Sequence, residues 1–468
     1  MRVLFVSAEL APSAKVGGLA DVAHGLPKAL AQAGVDVRVL VPGYGFLGRR
    51  EGTAQRFGVR VGPTWEARAV LDEIEGCPVP TYGVDGDALF GEILRAEDLY
   101  APSRDAYLFL ARAVPAVCRA LGWRPDVVHC NDWHTGFVPV VLREGGEDWG
   151  DVATVFTIHN LGYQGGFGID ALDRVGLPRS LFNHHQVEAW GAVNFLKAGA
   201  AYADQTSTVS PTYAREIQTP EHGFGLDGLM RHLAEHDRLG GILNGIDTET
   251  HDPATDPALA ARFSVHDLAG KAEGKRCLLS ELGLQNGPLF SVISRLSEQK
   301  GFDLVLSAIP QIVSGGGSLV VLGVGSEDIA HELRKAEAMA PDRIRFVNRY
   351  DAGLGQRIYA SSDWFLMPSS YEPCGLGQMF AMRYGALPVV RATGGLADSV
   401  EPGKDGLSFT ERSEAAIQEA VGRAFAIHAS PQHDEMVAAA MTKDFSWPGR
   451  VPEYVSLYRR ASRLMPVG

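Results

Sequence analysis

The opening stretch MRVLFVSAELAPSAKVGGLADVAHGLPKALAQAGVDVRVLVPG, residues 1–43, decides the fold class. Residues 2–7 form a short apolar run that suits a buried β-strand. From Leu19 the apolar residues Val22, Ala23, Leu26, Leu30 and Ala33 recur at helical spacing, and Gly34 closes the helix. Residues 35–41 make a second strand, stopped by Pro42-Gly43. Strand, helix and strand at this spacing are a βαβ unit, which requires a mostly parallel sheet. The alternation continues with strands over 126–129, 153–158 and 205–209. It restarts after Asn244-Gly245-Ile246-Asp247, where the polar stretch 252–256 with Pro253 reads as a crossing between domains. Strand-like runs follow over 289–293, 318–323, 344–347, 364–368 and 387–391. The pattern predicts an α/β chain of two doubly wound domains, divided near residue 245.

Composition narrows the function classes. Of 468 residues, 46% are hydrophobic and 21% charged, which excludes a disordered chain. The 54 glycines follow apolar runs without a fixed period, as tight strand-to-helix turns require and collagen does not. Forty-three basic against 56 acidic residues give −13, a poor global field for a nucleic-acid backbone. Cys77, Cys118, Cys130, Cys277 and Cys374 are scattered with no C-x-x-C pair, which argues against a disulfide framework or a zinc ribbon. The first apolar run ends at Glu9, too short for a signal peptide, and no apolar run reaches about 18 residues. The expectation is a soluble cytoplasmic protein with neither membrane nor nucleic-acid partner.

Several strand ends carry chemistry. No G-x-x-x-x-G-K-[ST], H-E-x-x-H or G-x-S-x-G is present, and Gly323-Val324-Gly325 lacks the third glycine of a dinucleotide fingerprint. His129, Asp132 and His134 share one strand-end loop, open to reading as a metal set or as a hydrogen-bonding surface. Asp132 beside Trp133 suits a sugar, with burial of Trp133 in the core as the alternative. His159 closes the next strand. Arg295 and Lys300 on one βα loop suit a phosphate clamp, Arg for bidentate contact and Lys as a point charge. Glu372 precedes a helix expected over 375–384, as ligand or as cap; Cys374 has no sequence-adjacent histidine to activate it. Gly17-Gly18-Leu19-Ala20-Asp21 recurs as Gly394-Gly395-Leu396-Ala397-Asp398. Each follows a strand and opens a helix, so the pair suits a diphosphate, unless both are merely tight turns.

In order along the chain, the blocks Lys15-Val16-Gly17-Gly18-Leu19, HCNDWHT (129–135), FTIHNLGYQG (156–165), NFLKAG (194–199), STVSPTYAREI (207–217), GILNGID (241–247), SRLSEQKG (294–301), YEPCGL (371–376) and TGGLAD (393–398) resemble the bacterial glycogen synthase and plant starch synthase family. The resemblance implies a GT-B fold: two Rossmann-like doubly wound domains, 1–245 on the glucan side and 246–445 on the donor side, facing across a deep cleft. A C-terminal helix, 446–468, is implied to cross back to the first domain. The implied reaction is transfer of glucose from ADP-glucose to the non-reducing end of an α-1,4-glucan, with retention of configuration. Lys15, Gly17, Gly18 and Asp21 are implied to serve the donor from the first domain. Arg295 and Lys300 are implied to neutralise its diphosphate from the second. Glu372 is implied to bind the glucose hydroxyls, with Cys374, Gly375, Leu376, Thr393 and Gly394 around the donor and Tyr350 stacked on the nucleobase. His159 and Asp132 are implied to line the transferring glucose and the incoming hydroxyl. A front-face route needs no metal or other cofactor, because the leaving phosphate takes the acceptor's proton, and closure of the cleft excludes water.

This chain departs from the family pattern at Ser370, where Arg is common, and at Gly377, where Thr or a larger residue is common. Phe380 stands where the wider GT-B pattern has a second Glu. The rival readings are a GT-B enzyme with UDP-glucose or another acceptor, a phosphorylase, and a non-catalytic glucan-binding paralogue.

Overall fold

The structure is a computed structural model describing residues 1–146 and 149–463; the end of the expected C-terminal helix, 464–468, lies outside the described residues. Two compact units form, the first from Met1–Gly245 together with the segment from Trp447, the second from Ile246–Ser446.

The first unit is built on a nine-stranded sheet. Its order is Leu239–Gly241, Gln205–Thr208, Ala153–Ile158, Val127–Asn131, Arg2–Val6, Asp36–Pro42, Thr81–Gly86, Trp65–Glu73 and Gln55–Gly62. Every pairing is parallel except the last two, where an antiparallel hairpin forms one edge. The central strands are buried on both faces, which is why they read as unbroken apolar runs. The hairpin strand Gln55–Gly62 is largely exposed and alternates, so it gave no apolar run to find.

Helix Trp447–Arg463 completes this unit, burying Trp447, Val451, Tyr454, Leu457, Tyr458 and Ala461. Any Cβ at Gly25 would collide with the Trp447 indole, so a glycine is what lets the two helices meet. The Tyr458 hydroxyl reaches His129 Nδ1 at 2.9 Å.

The second unit has a six-stranded parallel sheet in the order Ile344–Val347, Ser318–Leu322, Leu289–Ile293, Trp364–Met367, Leu387–Arg391, Leu407–Phe409. In chain order this is 3-2-1-4-5-6, the Rossmann arrangement. In each sheet parallel strands run outward in both directions from one switch point. In the first unit it is between Arg2–Val6 and Val127–Asn131, and in the second between Leu289–Ile293 and Trp364–Met367. Crevices at the carboxyl ends of such strands are where α/β sheets bind ligands.

Candidate functional site

In the first unit the loops leaving the two switch-point strands carry Lys15, Gly17 and Gly18 on one side and Asp132 on the other. Lys15 Nζ pairs with Asp21 Oδ1 at 2.7 Å, Asp21 lying in the first turn of helix Gly18–Gln32. No side chain caps that helix start. The buried carboxylate of Glu9 instead accepts from the Val16 and Gly17 amides at 2.9 and 2.8 Å and from the Tyr100 hydroxyl.

Asp132 occupies φ +55°, a conformation non-glycine residues rarely adopt. Its Oδ1 accepts from the His159 amide at 2.7 Å, and the register that sets Asn131 opposite Thr157 explains why the two strand ends meet. Burial lifts the Asp132 carboxyl to about 7, against the two amides it accepts from, with Glu9 adding to the rise. The same burial depresses His159 to about 3, so its imidazole is neutral. Asn131 Oδ1 meets His159 Nε2 at 2.9 Å and is itself anchored by Nδ2 donating to the Val6 carbonyl at 3.0 Å.

The loop's other histidines point elsewhere. His129 lies between Thr157 Oγ1 at 2.7 Å and Tyr458, inside the core. His134 stacks on Tyr100 with 4.9 Å between ring centroids and finds no hydrogen-bond partner for either nitrogen. The three residues 129, 132 and 134 therefore do not converge as metal ligands. Trp133 is half-buried, packing edge-on against Tyr107 and at a tilt against Phe167 on the margin of the core.

In the second unit the switch-point loops bring Lys300 and Glu372 together, Nζ to Oε2 at 2.6 Å, both side chains largely buried. Ser369 Oγ donates to the same oxygen at 3.0 Å. The two loops are tied by backbone as well, Ser370 N to Gln299 O at 2.8 Å. Arg391, at the end of the neighbouring strand, donates to the carbonyls of Ser369 and Ser370. Arg295 is exposed and has no ion pair among the described residues. Ser370 Oγ accepts from Arg412 Nε at 3.1 Å.

Gly394, at φ +46°, lies so close to the Glu372 carbonyl that a Cβ there would collide with it. Thr393 precedes it, buried, at the start of helix Gly394–Ser399. Gly375 also has positive φ, and Gln378 Nε2 holds the loop by donating to the carbonyls of Gly375 at 2.9 Å and Cys374 at 3.2 Å. Leu376 precedes helix Gly377–Arg383. Phe380, where the wider GT-B pattern has a carboxylate, packs at a tilt on His251 with 4.3 Å between ring centroids. Tyr350 is 78% exposed beyond the strand Ile344–Val347, an aromatic face free of core packing.

Glu9, Tyr100, Asn131 and Arg391 escaped the sequence reading. Glu9 had a signal, a carboxylate directly after an apolar strand; Asn131 stood inside a quoted block with no role given.

Two Rossmann-type sheets, each with polar loops at its switch point, are the architecture of the GT-B fold. Residues 2–232 match the starch synthase catalytic domain and residues 287–426 match glycosyl transferases group 1. The glycogen synthase of Myxococcus xanthus is 44% identical, covering 98% of this chain and 99% of its own. That of Syntrophotalea carbinolica is 41% identical over 99% of each chain. The catalytic domain of starch synthase IV from Arabidopsis thaliana, solved with ADP and acarbose, superposes with a TM-score of 0.88 at 34% identity, covering 98% of this chain and 99% of that one. Sucrose-phosphate synthase from Thermosynechococcus elongatus shares the fold, TM-score 0.63 at 20% identity over 98% of each chain. The chain belongs to the glycogen synthase and starch synthase family.

Proposed function

We propose that the chain is a glycogen synthase, transferring glucose from ADP-glucose to the non-reducing end of an α-1,4-glucan with retention of configuration. The observation that carries this is near-complete alignment to glycogen synthases at 44% identity. When the glucose–phosphate bond breaks, negative charge gathers on the departing ADP while the sugar becomes oxocarbenium-like. Arg295 and Lys300 stabilise the leaving group, with Lys15 and the amides of Gly17 and Gly18 acting on the same diphosphate; Asp21 aims Lys15. Glu372, held by Lys300 and Ser369, receives glucose hydroxyls. Amides around Cys374, Gly375, Leu376, Thr393 and Gly394 take donor oxygens, and Tyr350 stacks on the adenine. Asp132 and His159 line the glucose and the incoming hydroxyl; as a neutral imidazole, His159 orients a hydroxyl without adding charge. The leaving phosphate accepts the acceptor's proton. Among the described residues no helix is long and apolar enough to cross a membrane. The five thiols are free, which suits a reducing cytoplasmic setting.

Proton NMR of a maltooligosaccharide incubated with ADP-glucose tests this. New α-1,4 anomeric signals are expected; β-linked product, or free glucose with no chain growth, would overturn it.

A further inference from the structure

Three residues far apart in sequence meet in the second unit, away from every residue given a part in transfer. Asp363 immediately precedes strand Trp364–Met367, whereas Ser369 and Glu372 follow it, so Asp363 lies at the opposite end of the sheet from the Lys300–Glu372 pair. His428 ends helix Glu414–His428, and His433 is the second residue of helix Gln432–Thr442. One potential ligand atom from each lies within 4.8 Å of the others.

The atoms are poised in a particular way. Asp363 Oδ2 is spoken for, accepting from the Leu289 amide and from Lys275 Nζ, both at 2.6 Å, so Oδ1 is the oxygen left to the cluster. His428 Nδ1 and His433 Nε2 are both buried without a hydrogen-bond partner. A buried polar atom left unpartnered is unfavourable, and two in one cluster call for a missing partner. The other nitrogen of His433 faces Asp434 Oδ1 at 3.5 Å. Imidazole with one nitrogen directed at a carboxylate and the other at an open position is the usual outer arrangement of a metal-bound histidine. The Trp364 indole packs edge-on to His433 with 5.8 Å between centroids, making that side of the cluster apolar.

We propose that His428, His433 and Asp363 form a binding site for a zinc-class divalent transition-metal ion that ties two helices to the base of the second sheet. Two imidazoles and one carboxylate are a donor set suited to zinc, with water as fourth ligand. Tetrahedral bonds of about 2.1 Å place ligand atoms roughly 3.4 Å apart, so the cluster closes by at most about 1.4 Å on binding, within reach of side-chain rotation. Lys275 stays on Oδ2, orienting the carboxylate while reducing the net negative charge and hence the affinity. Binding is structural, since none of these residues belongs to the transfer machinery.

The test uses the full chain, stripped with chelator, in a His232→Ala/His236→Ala background that removes a separate histidine pair on helix Asp227–Glu235. Zinc chloride is titrated calorimetrically, and cobalt(II) is added in parallel as a spectroscopic probe. One equivalent should bind, cobalt should give the intense visible bands of tetrahedral coordination, and zinc at a hundred times its Kd should raise Tm by about 3 °C. His428→Gln and His433→Gln, made singly so that one folding failure leaves the other, should each weaken binding at least tenfold and abolish the cobalt bands, with glucosyl transfer unchanged. No binding, purely octahedral cobalt, or equal affinity in the variants would overturn the proposal.

Discussion

The switch-point loops of the two units solve different electrostatic problems with the same sheet geometry. In the first, Asp132 and His159 are pushed by burial toward their neutral forms and are held by amides and by Asn131. In the second, Lys300 and Glu372 form a buried ion pair, braced by Ser369, with the exposed guanidinium of Arg295 on the same loop. Neutral donors and acceptors suit sugar hydroxyls, whose charge does not change on binding. Cations suit a leaving diphosphate, whose charge grows as the bond breaks. The contrast teaches that one strand-end geometry keeps its polar groups neutral or holds them as an ion pair according to what burial and neighbouring groups supply.

The sharpest way to break the comparison is Lys300→Ala. It removes a cation from the leaving-group side and leaves Glu372 buried without its partner. Turnover should fall by about 10²–10³, and stability by roughly 3–5 kcal/mol; steady-state kinetics and urea melts read the two separately. Adding Glu372→Gln should recover much of the stability and none of the turnover.

Tyr350→Ala probes the donor side without touching charge. Base stacking is worth about 1–3 kcal/mol, so the KM for ADP-glucose should rise about tenfold while kcat and the melting curve stay near wild type.

Asp132→Asn probes the neutral side. The folded carboxyl titrates near 7, above its unfolded value, so it supports folding fully below about pH 4, and that support is lost as pH rises through 7. The variant should therefore gain stability relative to wild type between pH 5 and 8, read by denaturant melts at both.

The smallest effect is expected from His134→Phe. It keeps the ring stack on Tyr100 and removes two buried nitrogens without partners, a gain of about 1–2 kcal/mol. His134 is depressed to about 3 by burial, so the wild type loses stability as pH falls from about 6.5 toward 3. The variant should lose less over that interval.

Much of this was legible in the sequence because it is local. Strands 289–293 and 387–391 were read to the residue, since a fully buried parallel strand is a bounded apolar run. Lys300 and Glu372 stood out as charged groups directly after such runs. What stayed hidden depends on strand order. Asn131 reaches His159 only because Val127–Asn131 pairs with Ala153–Ile158, and Arg391 holds the Ser369-Ser370 loop only because Leu387–Arg391 pairs with Trp364–Met367. Glu9 was visible as a residue, but not its grip on the Val16 and Gly17 amides. The hairpin over Gln55–Gly62 and Trp65–Glu73 went unread because its strands alternate exposed with buried residues instead of forming an apolar run.

The measurement that tests the central claim most directly is glucose incorporation into glycogen by the purified protein, with ADP-glucose and UDP-glucose run in parallel. Strong incorporation from ADP-glucose, with little from UDP-glucose, is the predicted result. Incorporation chiefly from UDP-glucose, or from neither donor by folded protein, would contradict it.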